Sequence, residues 1–254
     1  MNGMNRFLVR ACAAAAGVAL STAAVTAASA SGGGGVPIHL GAFGPAGLAA
    51  PTSNRYWAGY QATVTAGSAT VASASFTVPA LSCTAAAQAI TPEAGVREST
   101  ATGNYSDAFV FTGCVNGTAV YFPSLVDNGT ETDYTTTHFA AGDVIDLTTK
   151  VSINRTRVQV TDVTTNVTEK KIGPGASASA AYMGDTGAAS STGSLQHVPD
   201  FGKLTFKNCL VDGKALASWH PQAYQRVNSI GRVQITTGGF WPGGTAFTTH
   251  FQHS

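Results

Sequence analysis

The chain has 254 residues, with 14 Lys plus Arg against 13 Asp plus Glu, so its charge is sparse and balanced. The sequence contains no basic stripe that could neutralise nucleic-acid phosphates, and no basic amphipathic helix that could bind a membrane surface. We therefore expect neither nucleic acid nor a membrane as a partner.

The first thirty residues have the pattern of an export signal. Arg6 and Arg10 precede an apolar run from Ala11 to Ala28, and Ala28-Ser29-Ala30 forms a small-residue cleavage site. A membrane anchor is the alternative, but the run is short and Ala-rich, whereas a spanning helix needs about 20 strongly apolar residues. The pattern predicts a signal peptide over residues 1–30 and a secreted, extracellular protein.

Residues 31–53 consist largely of Gly, Ala and Pro and include the run Gly32–Gly35. This composition buries too little apolar surface to become ordered, and it predicts a flexible leader. About 200 residues remain in 54–254, a length that suits one β-sandwich domain.

Three cysteines remain once the signal is removed: Cys83, Cys114 and Cys209. Their spacings match no zinc motif, and we expect no metal and no cofactor. In an oxidising compartment we predict a disulfide between Cys83 and Cys114, which flank the same group of predicted strands. Cys209 is then a buried free thiol or a partner for one of the others.

Short runs with a period of two dominate the rest of the chain. In Val71–Val78 the side chains of Ala72, Ala74, Phe76 and Val78 share one face, opposite Ser73, Ser75 and Thr77. The same alternation recurs around Ile145–Val151, and no window of a dozen residues keeps a helical period. These patterns predict an all-β, two-sheet antiparallel β-sandwich.

Five segments in chain order resemble the glutamic peptidase (eqolisin) family. They are NRYWAGY (54–60) with ASFTVP (74–79), FAAGDVI (139–145), VTTNVT (163–168) and VPDFGKLTFKN (198–208). The resemblance implies a concanavalin A-like lectin/glucanase type of sandwich with a substrate groove on a concave sheet. It also implies an acid endopeptidase, in which a glutamate deprotonates the attacking water and a glutamine amide stabilises the oxyanion.

The family's catalytic pair is missing at the matching positions. The glutamine falls on Phe111 in one register and on Asp107 in another, and the glutamate falls on Ala181. Two other acids are candidate substitutes, namely Asp185 and Glu93, the latter within Thr91–Gly95, which we predict to be a loop.

The resemblance therefore predicts a homologue without peptidase activity. Such a protein would bind a peptide, an extracellular protein or a cell-wall polymer in the groove, with Trp57, Tyr121 and Tyr182 as candidate binding residues. One alternative is an active acid endopeptidase with a replaced catalytic pair. A carbohydrate-binding module is the other, because aromatic side chains on a concave sheet can stack on sugars.

Overall fold

The structure is a computed structural model that describes residues 51–83, 87–99, 104–187 and 196–253. The predicted signal peptide and most of the predicted leader lie outside these residues. No helix among the described residues is long and apolar enough to cross a membrane.

Sixteen strands and one short 3-10 helix, Leu216–Trp219, make up the described part of the chain. The strands are β1 (Thr52–Asn54), β2 (Trp57–Thr63), β3 (Thr70–Thr77), β4 (Ala87–Glu98), β5 (Tyr105–Val115), β6 (Thr118–Asp127), β7 (Thr130–Asp133), β8 (Val144–Ser152), β9 (Arg155–Asp162), β10 (Val167–Pro174), β11 (Ala178–Gly187), β12 (Lys203–Val211), β13 (Lys214–Ala215), β14 (Gln222–Val227), β15 (Val233–Thr237) and β16 (Phe247–Phe251). Strand β1 contains Thr52 and Ser53, the last two residues of the predicted leader.

The strands form a curled sheet in the order β10-β9-β8-β3-β12-β16-β15-β14-β2-β11-β4-β5-β6-β7. All pairs along this path are antiparallel, and β12 joins the two layers because its first half pairs with β16 and its second half with β3. The layers pack face to face, with β4 and β5 contacting β8. The predicted all-β sandwich is confirmed, with the two layers continuous through β12.

The core lies between the layers and follows the period-two patterns of the sequence. Ala72, Ala74, Phe76 and Val78 are buried in it from one layer, and Ala94 and Val96 of β4 from the other. Because successive strand residues point to opposite faces, the residues between these project away from the core. We call this outward surface of β2, β4, β5 and β11 the site face.

Two hairpins carry the turn residues that the sequence indicates. In the first hairpin φ is 51° at Asn116 and 77° at Gly117, and in the second it is 49° at Asn128 and 74° at Gly129. Positive φ at both central residues is the signature of a type I′ turn, which Asn-Gly favours.

The predicted disulfide is confirmed, since Cys83 and Cys114 are joined with their sulfur atoms 2.04 Å apart. It ties the segment before β4 to the end of β5. Cys209 is a buried free thiol.

Candidate functional site

Two carboxyl groups meet on the site face. Strand β5 pairs with β4 so that Asp107 lies opposite Gly95, and Glu93 is one same-face position further along β4. Diagonal neighbours on one face of an antiparallel pair are within reach of long side chains. The carboxyl groups of Glu93 and Asp107 lie close enough for each to shift the pKa of the other, although Asp107 Oδ1 makes no hydrogen bond of normal geometry. Only 5% of Glu93 and 1% of Asp107 is exposed.

The Thr91–Gly95 segment lies within β4, whereas the sequence predicted a loop. Pro92 and Gly95 suggested a loop because both residues are depleted in strands. In the structure Pro92 has no partner residue in the ladder to β5, and Gly95 makes room for a neighbouring ring. Glu93 is therefore held on a strand and buried rather than solvated.

Each carboxyl group also has a hydroxyl partner from β11. Thr186 Oγ1 donates to Glu93 Oε1 at 2.5 Å, and Thr91 Oγ1 donates to the Thr186 carbonyl at 3.0 Å. The hydroxyl of Tyr182 lies beside Asp107 above Gly95 and lowers the pKa of the Asp107 carboxyl. Ionised carboxyl oxygens only accept hydrogen bonds, so the contact between Glu93 and Asp107 requires a proton on one of them.

Gly95 creates the space in which Tyr182 reaches Asp107. A Cβ atom at this position would lie 2.3 Å from Cζ and 2.4 Å from the hydroxyl oxygen of Tyr182, and 2.8 Å from Asp107 Oδ1. Any larger residue would displace the phenol. The absence of a side chain at residue 95 is thus a condition for the contact between Tyr182 and Asp107.

Trp57 borders the carboxyl pair on the other side. Its ring meets that of Tyr182 edge to face, with centroids 6.0 Å apart, and lies 5.2 Å from the Tyr224 ring. The indole is close enough to Glu93 to lower the pKa of its carboxyl, although Nε1 makes no hydrogen bond of normal geometry. Only 9% of Trp57 and 8% of Tyr182 is exposed.

The two acids differ in how their charged forms are supported. Burial raises the pKa of Glu93 to about 7, although Asp107, the Thr186 hydroxyl, the Trp57 indole and the charge of Arg97 oppose that rise. Burial, followed by the negative charge of Glu93, raises the pKa of Asp107 well above its usual value. The pair therefore keeps a proton at pH values where an isolated carboxyl group is ionised, and Glu93 has more support for its charged form than Asp107 has.

Asp185 lies apart from this pair. It follows Gly184 and precedes Thr186, so its side chain points away from the site face. It is fully buried, its Oδ2 accepts a hydrogen bond from Thr249 Oγ1, and burial raises its pKa to about 7. The negative charge of Glu93 adds to this rise, and the positive charge of Arg226 partly opposes it.

The other predicted site residues are distributed over both faces. Ala181 and Tyr121 are buried in the core between the layers. Phe111 stacks on Phe122 with ring centroids 4.7 Å apart, in a small cluster separate from that core. Of the positions matched to the family's pair, only Asp107 belongs to the carboxyl site, and Tyr182 rather than Ala181 faces it.

Sequence reasoning missed Thr186 and Gly95. No motif marks either residue, because their roles depend on the register between β11 and β4, which pairs Thr186 with Thr91 and Tyr182 with Gly95. Among the described residues, no three His, Cys, Asp or Glu side chains are grouped so as to hold a metal ion.

Solved structures of similar fold are peptidases. The chain resembles scytalido-glutamic peptidase with a transition state analog inhibitor at 17% identity and a TM-score of 0.62, over 78% of this chain and 98% of that one. It also resembles SCP-B, a member of the eqolisin family of peptidases in complex with the tripeptide Ala-Ile-His, at 16% identity and a TM-score of 0.61, again over 78% and 98%. No family profile and no curated protein sequence matches the chain. These likenesses confirm, at the level of the fold, the resemblance that the motifs indicated.

Proposed function

We propose that this chain is a secreted endopeptidase of the glutamic-peptidase type in which Glu93 and Asp107 replace the family's catalytic pair. The observation that carries the proposal is the close approach of two buried carboxyl groups on the site face. Burying two acids against each other is costly, and such pairs with displaced pKa values concentrate at sites that exchange protons.

The pair has the parts that peptide hydrolysis requires. Glu93, the more readily ionised acid, accepts a proton from the attacking water as its oxygen bonds to the carbonyl carbon. Asp107 gives its proton to the carbonyl oxygen, which yields a neutral tetrahedral diol. Glu93 then protonates the amide nitrogen as the C–N bond breaks, and Asp107 recovers a proton from the diol. The products are a carboxylic acid and an amine, and the pair again holds one proton.

This chemistry favours a working pH nearer to neutral than the acid range that the family resemblance implies. Glu93 must be ionised to act as a base, and its pKa is raised to about 7. Asp107 must keep its proton, and its pKa is raised further by the neighbouring negative charge. Activity should therefore rise as pH passes through about 7 and fall where Asp107 ionises.

The geometry favours hydrolysis over the two binding roles that the sequence leaves open. The prediction of an inactive binding protein depended on the absence of a catalytic acid at the positions matched to the family's pair. Glu93 and Asp107 together provide an acid and a base at this site. Sugar stacking needs an open ring face, and Trp57 and Tyr182 are only 9% and 8% exposed. The disulfide between Cys83 and Cys114 fits a secreted protein that acts on extracellular peptides.

The proposal is tested by incubating the full-length protein with heat-denatured albumin from about pH 3 to about pH 9 and identifying new peptide ends by mass spectrometry. We expect internal cleavage that Glu93→Gln abolishes. Asp146→Asn, which removes an exposed carboxylate on β8, serves as the matched control and should cleave normally. Absence of cleavage at every pH, with peptide bound but intact, would support the binding role instead.

A further inference from the structure

We infer that Tyr182 is a positioning residue for this reaction, which orients Asp107 and holds its carboxylate once the proton has passed to the substrate. This inference rests on the proposed function. It is carried by the contact between the Tyr182 hydroxyl and Asp107 and by the space that Gly95 leaves for it.

The position of the phenol is determined by the strand register. Tyr182 lies directly opposite Gly95 across the pairing of β11 with β4, and Gly95 lies directly opposite Asp107 across the pairing of β4 with β5. The three residues form one row on the site face. Since the middle residue has no side chain, the outer two approach each other above it, and the hydroxyl oxygen lies 2.4 Å from where a Cβ atom of residue 95 would be.

In its contact with Asp107 the Tyr182 hydroxyl is the donor, which suits catalysis. Burial and the neighbouring acids raise the pKa of the Tyr182 hydroxyl well above its usual value, so this group keeps its proton and acts as a donor. A hydrogen bond to an ionised acceptor is roughly twice as strong as one between neutral groups. The bond therefore strengthens when Asp107 has given up its proton, which stabilises the intermediate more than the resting enzyme.

Several other groups influence Asp107 and have to remain constant in a test. Glu93 and Glu131 add negative charge beside it, and Arg97 and Tyr105 act on Tyr182. Replacing Tyr182 by Phe leaves all four groups in place. It removes only the hydroxyl, whose hydrogen bond lowers the pKa of Asp107.

The test compares Tyr182→Phe with Tyr121→Phe in the full-length protein. Tyr121 is a matched control because it is also 8% exposed and its hydroxyl is hydrogen-bonded to the backbone of Leu81 rather than to an acid of the site. For Tyr182→Phe we expect kcat to fall about 10- to 100-fold, with KM changed less than about twofold. The alkaline limb of the pH profile should move upward, because Asp107 loses a bond that favours its ionised form.

Gly95→Ala provides a second variant, in which the hydroxyl is kept but displaced from Asp107. It should reproduce the upward shift of the alkaline limb, whereas Tyr121→Phe should leave kcat and the limb unchanged. The inference would be overturned if the alkaline limb of the pH profile did not move in Tyr182→Phe, or if its kcat equalled that of Tyr121→Phe. If Glu93→Gln abolishes cleavage in the same assay, the proposed function survives that result. A wild-type protein that cleaves nothing overturns both.

Discussion

Thr186 Oγ1 lies 2.5 Å from Glu93 Oε1, on the strand next to the one that carries the acid. Because the carbonyl of Thr186 is itself held by Thr91 Oγ1, the donor is fixed by the strand pairing. The bond assigns Glu93 Oε1 as an acceptor. Thr186 thereby favours the ionised, base form of Glu93.

Thr186→Val should therefore make Glu93 a poorer base at neutral pH. The hydrogen bond lowers the pKa of Glu93, so its loss raises that pKa and moves the acid limb of the kcat/KM profile upward. At the lower end of the working range we expect a rate loss of about 10-fold or more. Thr168→Val, an exposed replacement on β10, should leave the profile in place. An acid limb that does not move in Thr186→Val would show that Thr186 does not act on Glu93.

The stability of the fold should decrease as pH rises towards neutral. Glu93 and Asp185 have pKa values raised to about 7, so the folded state binds their protons more tightly than the unfolded state does. The contribution of these two acids to the free energy of unfolding is fully present below about pH 4 and is lost as pH rises through about 7. Urea denaturation at about pH 5 and about pH 8 should differ by a few kcal/mol. Glu93→Gln should flatten this dependence, and equal unfolding free energies at both pH values in the wild type would contradict it.

Asp185 should affect the site without being required for cleavage. It interacts electrostatically with Glu93, whose charge raises the pKa of Asp185, and with buried Arg226, which is 1% exposed and lowers that pKa. Asp185→Asn keeps an acceptor for Thr249 but removes a negative charge that favours the ionised form of the buried Arg226 guanidinium, which should destabilise the fold. We expect a lower Tm together with persistent cleavage. Complete loss of cleavage in a folded Asp185→Asn protein would move the acid chemistry to Asp185.

The fold could be predicted from the sequence because its signals are local. Alternation in Val71–Val78 placed Ala72 and Phe76 in the core, and the five motifs indicated the sandwich that the structure shows. The Asn-Gly pairs of the two hairpin turns are equally local features. These features depend on a few neighbouring residues and on the two-residue period of a strand.

The site could be predicted only in part, because it depends on register. Glu93, Asp107 and Tyr182 were all candidates, but the contact of the two acids arises from the pairing of β4 with β5. The position matched to the family's glutamate was Ala181, one residue before Tyr182. Successive strand residues point to opposite faces, so a shift of one residue places the side chain on the other face of the sheet. Gly95 and Thr186 carried no signal at all until their partners across the strands were known.

The central claim is tested most directly by comparing cleavage rates near pH 7 for Glu93→Gln, Asp107→Asn and the double variant. If the two acids act as one proton-sharing unit, each single change lowers kcat/KM by at least about 10²-fold, and the double variant is little worse than either. Wild-type rates in both single variants, or independent losses that multiply in the double variant, would contradict the account.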